Sequence, residues 1–99
     1  MTEQNPTSDF IPRLAVRKLD KSLYDYEVSY GGQVLYAGGG QLGISEAIIQ
    51  AIDTNPPFRG FEVEYDGYLV GTYTQYELNS DAGAVAKAAV ATKAMFFEP

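Results

Sequence analysis

Glu62 and Glu64 stand two residues apart in an alternating run, Phe61-Glu62-Val63-Glu64-Tyr65. In a strand that spacing puts both carboxylates on one face, about 7 Å apart at the Cα atoms. Paired carboxylates do acid–base work when burial drives their pKa values apart. The rest of such a site is missing from this reading. The chain has no histidine, the commonest general base, and no basic residue is placed beside the pair. Two carboxylates also fall short of a divalent-cation cage, which takes about six to eight oxygens. Cysteine is absent as well, which removes thiol nucleophiles, thiolate metal sites and disulfides. The expectation is a protein that is not an enzyme, with no catalytic residues, no metal and no cofactor.

Gly38-Gly39-Gly40-Gln41-Leu42-Gly43 is the second candidate. Glycine-rich loops ahead of a helix can cradle phosphates through their amides. Here the Walker lysine is absent and the three-spaced dinucleotide fingerprint is not matched, so the run reads as a flexible connection from an edge strand to a helix. The 8 tyrosines could stack single-stranded bases, but that mode needs a positive groove. With 13 acidic residues against 7 basic and a net charge of −6, no surplus of cations exists to displace counterions from phosphates. Direct nucleic-acid binding is therefore not expected, while a basic partner is permitted. No apolar run approaches the roughly 18 residues of a membrane span. The first ten residues lack a basic start and an apolar core. These features suggest a soluble, cytoplasmic domain with no membrane contact.

The elements that position these residues come from a repeat. At an offset of 35, Glu27, Val28, Tyr30, Gly32, Ser45 and Ala47 recur as Glu62, Val63, Tyr65, Gly67, Ser80 and Ala82, and each copy spells strand, two-residue turn, strand, serine, helix. Gly31-Gly32 and Asp66-Gly67 suit type I′ turns, whose central residues both take positive φ. They predict hairpins over Tyr26–Ala37 and Phe61–Thr74. Regular alternation sets Val28 beside Leu35, Tyr26 beside Ala37, Val63 beside Val70 and Phe61 beside Thr72. A strand over Leu14–Leu19 precedes them, turning at Asp20-Lys21-Ser22 so that Arg17 faces Asp25 and Val16 faces Tyr26.

Ile44, Ala47, Ile48, Ala51 and Ile52 recur at helical spacing after Ser45, and Asn55-Pro56-Pro57 stops that helix. A second helix begins near Asn79 or Ser80, rich in alanine, with Ala82, Val85, Ala89, Thr92 and Phe96 as its stripe. The predicted fold is a single α+β domain over residues 1–99: an antiparallel five-stranded sheet with two helices on one face, ordered βββαββα. Residues 1–10 are a flexible tail, 11–54 hold a strand and the first ββα unit, and 61–96 hold the second.

The sheet face away from the helices should carry Glu27, Ser29, Val34, Tyr36, Glu62, Glu64, Leu69 and Tyr73. Carboxylates interleaved with tyrosines and aliphatics suit a binding surface, with the aromatics supplying area and the acids selecting a basic partner. Asp25, Glu27, Glu62, Glu64 and Asp66 are its expected charges; Tyr36, Leu69 and Tyr73 are its expected anchors. In size, charge and hairpin–helix plan the chain resembles the small acidic α+β proteins that phages use to block host defences, anti-CRISPR proteins among them. That resemblance implies an inhibitor in the host cytoplasm that occupies a basic, nucleic-acid-binding surface of a protein complex. The stretch YEVSYGGQVLYAGGGQLGISEAIIQAID also resembles the βββα pattern of HicB-type antitoxins, which leaves a self-assembling regulatory domain, a symmetric homodimer, as the alternative.

Overall fold

A computed structural model describes residues 10–53 and 58–97. Strand β1 (Arg13–Asp20) turns into β2 (Leu23–Tyr30) and pairs with it antiparallel, with Arg17 opposite Asp25 and Val16 opposite Tyr26. That is the register expected from the sequence, relieved only by an irregularity near Leu19. The Gly31-Gly32 turn leads to β3 (Gln33–Gln41), with φ of 60° and 81° at the two glycines. Helix α1 (Ile44–Asp53) follows, then β4 (Gly60–Tyr65) and β5 (Tyr68–Thr74), joined through Asp66 and Gly67 at φ of 48° and 90°. Both turns have the positive φ that their sequences call for. The expected Asn55-Pro56-Pro57 stop and the tail up to Asp9 lie outside the described residues.

The sheet order is β3-β2-β1-β4-β5, and it corrects the expectation of an antiparallel sheet. β1 and β4 run parallel, Arg13 beside Glu62 and Ala15 beside Glu64, and the amides of Glu62 and Asp66 donate to the carbonyls of Pro12 and Val16, both at 2.9 Å. The cause is topological. β1 and β3 point the same way because each is antiparallel to β2. α1 then carries the chain back across one face, so β4 sets out in the direction of β1 and β3. Whichever edge it joins, it joins in parallel, and a helical crossover is the usual link for such a pair.

Among the described residues, three helices stand where two were expected. Between β5 and the long helix lies α2 (Gln75–Ser80), which starts in a capping box: Thr74 Oγ1 accepts from the Glu77 amide at 3.0 Å, and the Glu77 carboxylate accepts from the Thr74 amide at 2.8 Å. The spacing Thr74-x-x-Glu77 is a helix-start signal in its own right. α3 (Ala82–Phe97) follows immediately, Asp81 serving both helices: its amide donates to Glu77 and its carbonyl accepts from Ala84 and Val85.

One core lies between the sheet and the helices. Leu14, Val16, Val28, Phe61 and Val63 face Ile48, Ala47, Ala51, Leu78, Val85 and Ala89, all of them buried. Each large aliphatic or aromatic side chain so enclosed contributes roughly 1.5–3 kcal/mol. The α1 stripe is buried as its spacing requires. In α3, Ala82, Val85 and Ala89 are buried, while Phe96 is exposed and stacks on Tyr68 with ring centroids 5.7 Å apart. Phe10 is not part of a free tail: it packs on Tyr30 at 4.1 Å and on Phe58 at 5.4 Å.

The glycine run is a second correction. Gly38, Gly39 and Gly40 belong to β3 rather than to a connecting loop. A Cβ on Gly38 would lie 2.5 Å from the Tyr26 hydroxyl oxygen, so β3 is narrow where Tyr26 must lie flat and buried. Gly60 is tighter still, because a Cβ there would meet backbone, the Tyr73 carbonyl and Thr74 Cα. No rotamer relieves that contact. Gly60→Ala is expected to cost about 1–3 kcal/mol, measured by urea denaturation. Gly83→Ala, in open space on α3, should instead gain roughly 0.5–1 kcal/mol. A Gly60→Ala midpoint equal to that of the parent chain contradicts the β4–β5 pairing.

Candidate functional site

Among the described residues, no helix covers the far face of the sheet. The strand registers lay it out in rows. One row runs Val34, Ser29, Arg13, Glu62, Thr72 from edge to edge. The next runs Ala37, Glu27, Ala15, Glu64, Leu69, and a shorter one runs Gly39, Asp25, Arg17. Glu62 and Glu64 share the face, as their spacing requires, and they have the basic neighbour that the sequence reading denied them. Arg13, brought alongside by the parallel pairing, donates from Nη2 and Nε to Glu62 Oε1 at 2.6 and 2.9 Å, and from Nη1 to Glu64 Oε1 at 3.0 Å. Arg17 grips Asp25 with two parallel bonds of 2.9 Å. Hydrogen bonding to Glu62 and the pull of both glutamates raise the Arg13 pKa; hydrogen bonding to Asp25 does the same for Arg17.

This face therefore carries four carboxylates and two guanidiniums, and three of the carboxylates are engaged. Glu27 has no hydrogen-bond or ion-pair partner among the described residues and acts on Arg17 only through space. Between Glu27 and Glu64 the middle row has just a methyl group, Ala15, so these two acids face each other across β1 with no long side chain of that row between them. Val34 and Leu69, equivalent in the repeat and each 52% exposed, lie on the two edge strands, Leu69 in the row of Ala15 and Val34 in the row of Arg13.

Two expected anchors are not on this face. Tyr36 and Tyr73 point to the helix side, opposite Val28 and Phe61. The reason is a bulge in each hairpin: the register shifts between Val28 and Ser29 against β3, and between Val63 and Glu64 against β5. One extra residue, Leu35 or Val70, is absorbed there, and it reverses every side chain beyond it. The expected pairs Val28–Leu35, Tyr26–Ala37, Val63–Val70 and Phe61–Thr72 are replaced by Val28–Tyr36, Tyr26–Gly38, Val63–Gly71 and Phe61–Tyr73. Leu35 and Val70 are themselves 35 residues apart, so the bulge is part of the repeat. Tyr36 donates its hydroxyl to the Ala51 carbonyl at 2.8 Å, and burial pushes its pKa up to about 12.

Asp66 is also diverted. Its carboxylate accepts from the Lys18 amide at 2.9 Å and from Lys93 Nζ at 2.7 Å, tying β1, the β4–β5 turn and α3 together. Lys93 also lies 5.5 Å from the centre of the Tyr65 ring. Asp66 is thus a structural tie rather than a docking charge. Of the sequence-derived set, Asp25, Glu27, Glu62, Glu64 and Leu69 come together, whereas Tyr36, Tyr73 and Asp66 do not. Arg13, Ala15 and Arg17 were missed as site residues. Their alternation along β1 and the Arg17–Asp25 pairing were the available signal.

Among the described residues no cluster of three or more acidic side chains is arranged to hold a metal ion, and no helix is long and apolar enough to cross a membrane. Compared with family models, curated proteins and solved structures, the chain finds no match in any of the three.

Removing Arg13 leaves Glu62 and Glu64 as unscreened like charges. Arg13→Ala should cost about 0.5–1 kcal/mol, since the pairs are solvent-exposed, with the loss greater at low salt than at high salt. Urea denaturation at two ionic strengths checks this; a salt-independent loss would mean that Arg13 acts through packing alone. For Tyr36, the folded pKa of about 12 exceeds the ordinary value of 10.0. Its contribution is complete below pH 10 and declines as pH rises from 10 to 12, because the unfolded phenol ionises first. Tyr36→Phe should lower stability at neutral pH by about 1 kcal/mol and flatten the alkaline decline, read from denaturation midpoints across that range.

Proposed function

We propose that the protein is a non-catalytic binding module that acts by occupancy, its open sheet face docking on a basic, nucleic-acid-binding surface of a partner protein. The observation that supports this reading is the placement of Glu27 and Glu64 on either side of the small Ala15. A lysine or arginine from the partner can lie over the methyl group between Glu27 and Glu64, where Arg13 holds Glu64 in place and Glu27 is left unpaired among the described residues. Preorganised charges of this kind steer a basic partner and fix its register. Val34 and Leu69 add apolar contact on either side, smaller anchors than the two tyrosines expected from the sequence. The acid pair is a poor proton-transfer site, because both Glu62 and Glu64 are engaged by one guanidinium.

The module competes with phosphates for the surface it covers. Its resemblance in size and charge to phage anti-defence proteins makes a nucleic-acid-handling defence complex of a bacterial host the partner class to test first. Host cytoplasm is the matching location.

The test is capture from bacterial lysate on the immobilised chain, with bound proteins identified by mass spectrometry. Nucleic-acid-binding proteins should be retained at low salt and released by high salt or by excess duplex DNA. Ala15→Arg puts a repelling cation between Glu27 and Glu64, and Glu27→Lys reverses the unpaired acid. Each should reduce capture roughly tenfold or more without altering the circular dichroism spectrum. Retention that ignores salt, DNA and both substitutions would rule out the sheet face.

A further inference from the structure

The helical layer has a surface of its own that the sheet face does not explain. α3 has 16 residues and only two charged side chains, Lys87 and Lys93, the second taken up by Asp66. A helix apolar on every side is ordinarily enclosed on every side, yet Val90 is 53% exposed. Between this side of α3 and the start of α1 runs an open groove of about 480 Å³, lined among others by Ile44, Glu46, Lys87, Val90, Ala91 and Ala94. Lys87, Val90, Ala91 and Ala94 fall at i, i+3, i+4 and i+7, so they form one stripe.

The charges of this groove decide what can cover it. Glu46 stands on the α1 wall and Lys87 on the α3 wall. They form no ion pair with each other. Lys87 has no hydrogen-bond or ion-pair partner among the described residues, and Glu46 only accepts from the neighbouring Ser45 hydroxyl at 3.2 Å. An apolar strip with one acid on one wall and one base on the other is complementary to itself under a two-fold rotation, the requirement for an isologous interface.

We propose that the α1–α3 groove is the two-fold interface of a homodimer, with Val90 and Ala91 of each copy packing into the groove of the other and Glu46 of each copy pairing with Lys87 of the other. Burial of the exposed apolar side of α3 drives the association, and the two ion pairs set its register. The two acidic sheet faces then point outward on opposite sides of the dimer. A bivalent module results, able to engage a repeated or oligomeric partner with avidity. The dimer stands or falls independently of the proposed docking role.

Light scattering and sedimentation over the micromolar range test it on the whole chain. The parent protein should be dimeric. Lys87→Glu sets two like-charged pairs across the axis, and so does Glu46→Lys; each should weaken dimerisation roughly tenfold or more. Mixed in equal amounts, the two variants should pair with each other, because their charges are again opposite across the interface. Val90→Asp should also give monomers, and since Glu46 and Lys87 are exposed, the charge pair keeps the test decisive if Val90→Asp fails to fold. A parent chain that stays monomeric overturns the proposal and leaves a different protein as the occupant. So does a dimer that survives both charge reversals, which would place the contact elsewhere, such as the β3 edge. Failure of the mixed variants to pair overturns it too.

Discussion

The return of the chain through α1 is the constraint from which the remaining features follow. Three antiparallel strands followed by a helix that doubles back leave β4 no choice of direction. It must run with β1, and it does so beside β1 rather than beside β3. β1 thereby becomes the central strand, with a hairpin on either side. The duplicated hairpins are not simply adjacent; they share a strand that belongs to neither copy. The core follows from the same arrangement, since Leu14 and Val16 of β1 lie at its middle with no exposure.

The chemistry of the open face is a second consequence. Arg13 and Arg17 alternate along the central strand, so each reaches acids on its neighbours: Arg13 toward β4, Arg17 toward β2. Had β4 paired elsewhere, Glu62 and Glu64 would repel each other without compensation. Individually such exposed pairs add little to stability, typically 0–1 kcal/mol. Their larger effect is to fix the positions of Glu62, Glu64 and Asp25, leaving Glu27 unpaired among the described residues. The face is acidic in balance but ordered in detail, with three of its four carboxylates held by arginine.

Much of this was legible in the residues themselves, and the failures have physical causes. Gly31-Gly32 and Asp66-Gly67 marked both turns, helical spacing marked α1 and its buried stripe, and opposite charges marked the β1–β2 register. Parallel pairing was equally available from strand directions once a helix was placed after β3, but it needs the whole topology rather than any local signal. The bulges were harder. Leu35 and Val70 lie in short continuous apolar runs that fit either register, and nothing local announces that one residue will be skipped. That single residue decides whether Tyr36 and Tyr73 are docking anchors or core. Helix α2 was signalled by Thr74 and Glu77, but its 6 residues are too few to show periodicity. Asp66 was placed correctly in its turn; its partner Lys93 is 27 residues away on another element, beyond any local pattern.

The central position of β1 can be tested without reference to function. The chain has no cysteine of its own, so a disulfide can form only between introduced thiols, and only where the Cα atoms lie within about 7 Å. Arg13→Cys with Glu62→Cys should oxidise readily to an intramolecular disulfide, since those residues are direct partners in the parallel register. Arg17→Cys with Glu62→Cys should remain reduced. The reverse outcome, with Arg17 and Glu62 cross-linked and Arg13 and Glu62 not, would mean that β4 runs antiparallel to β1 and would dismantle the arginine-ordered face.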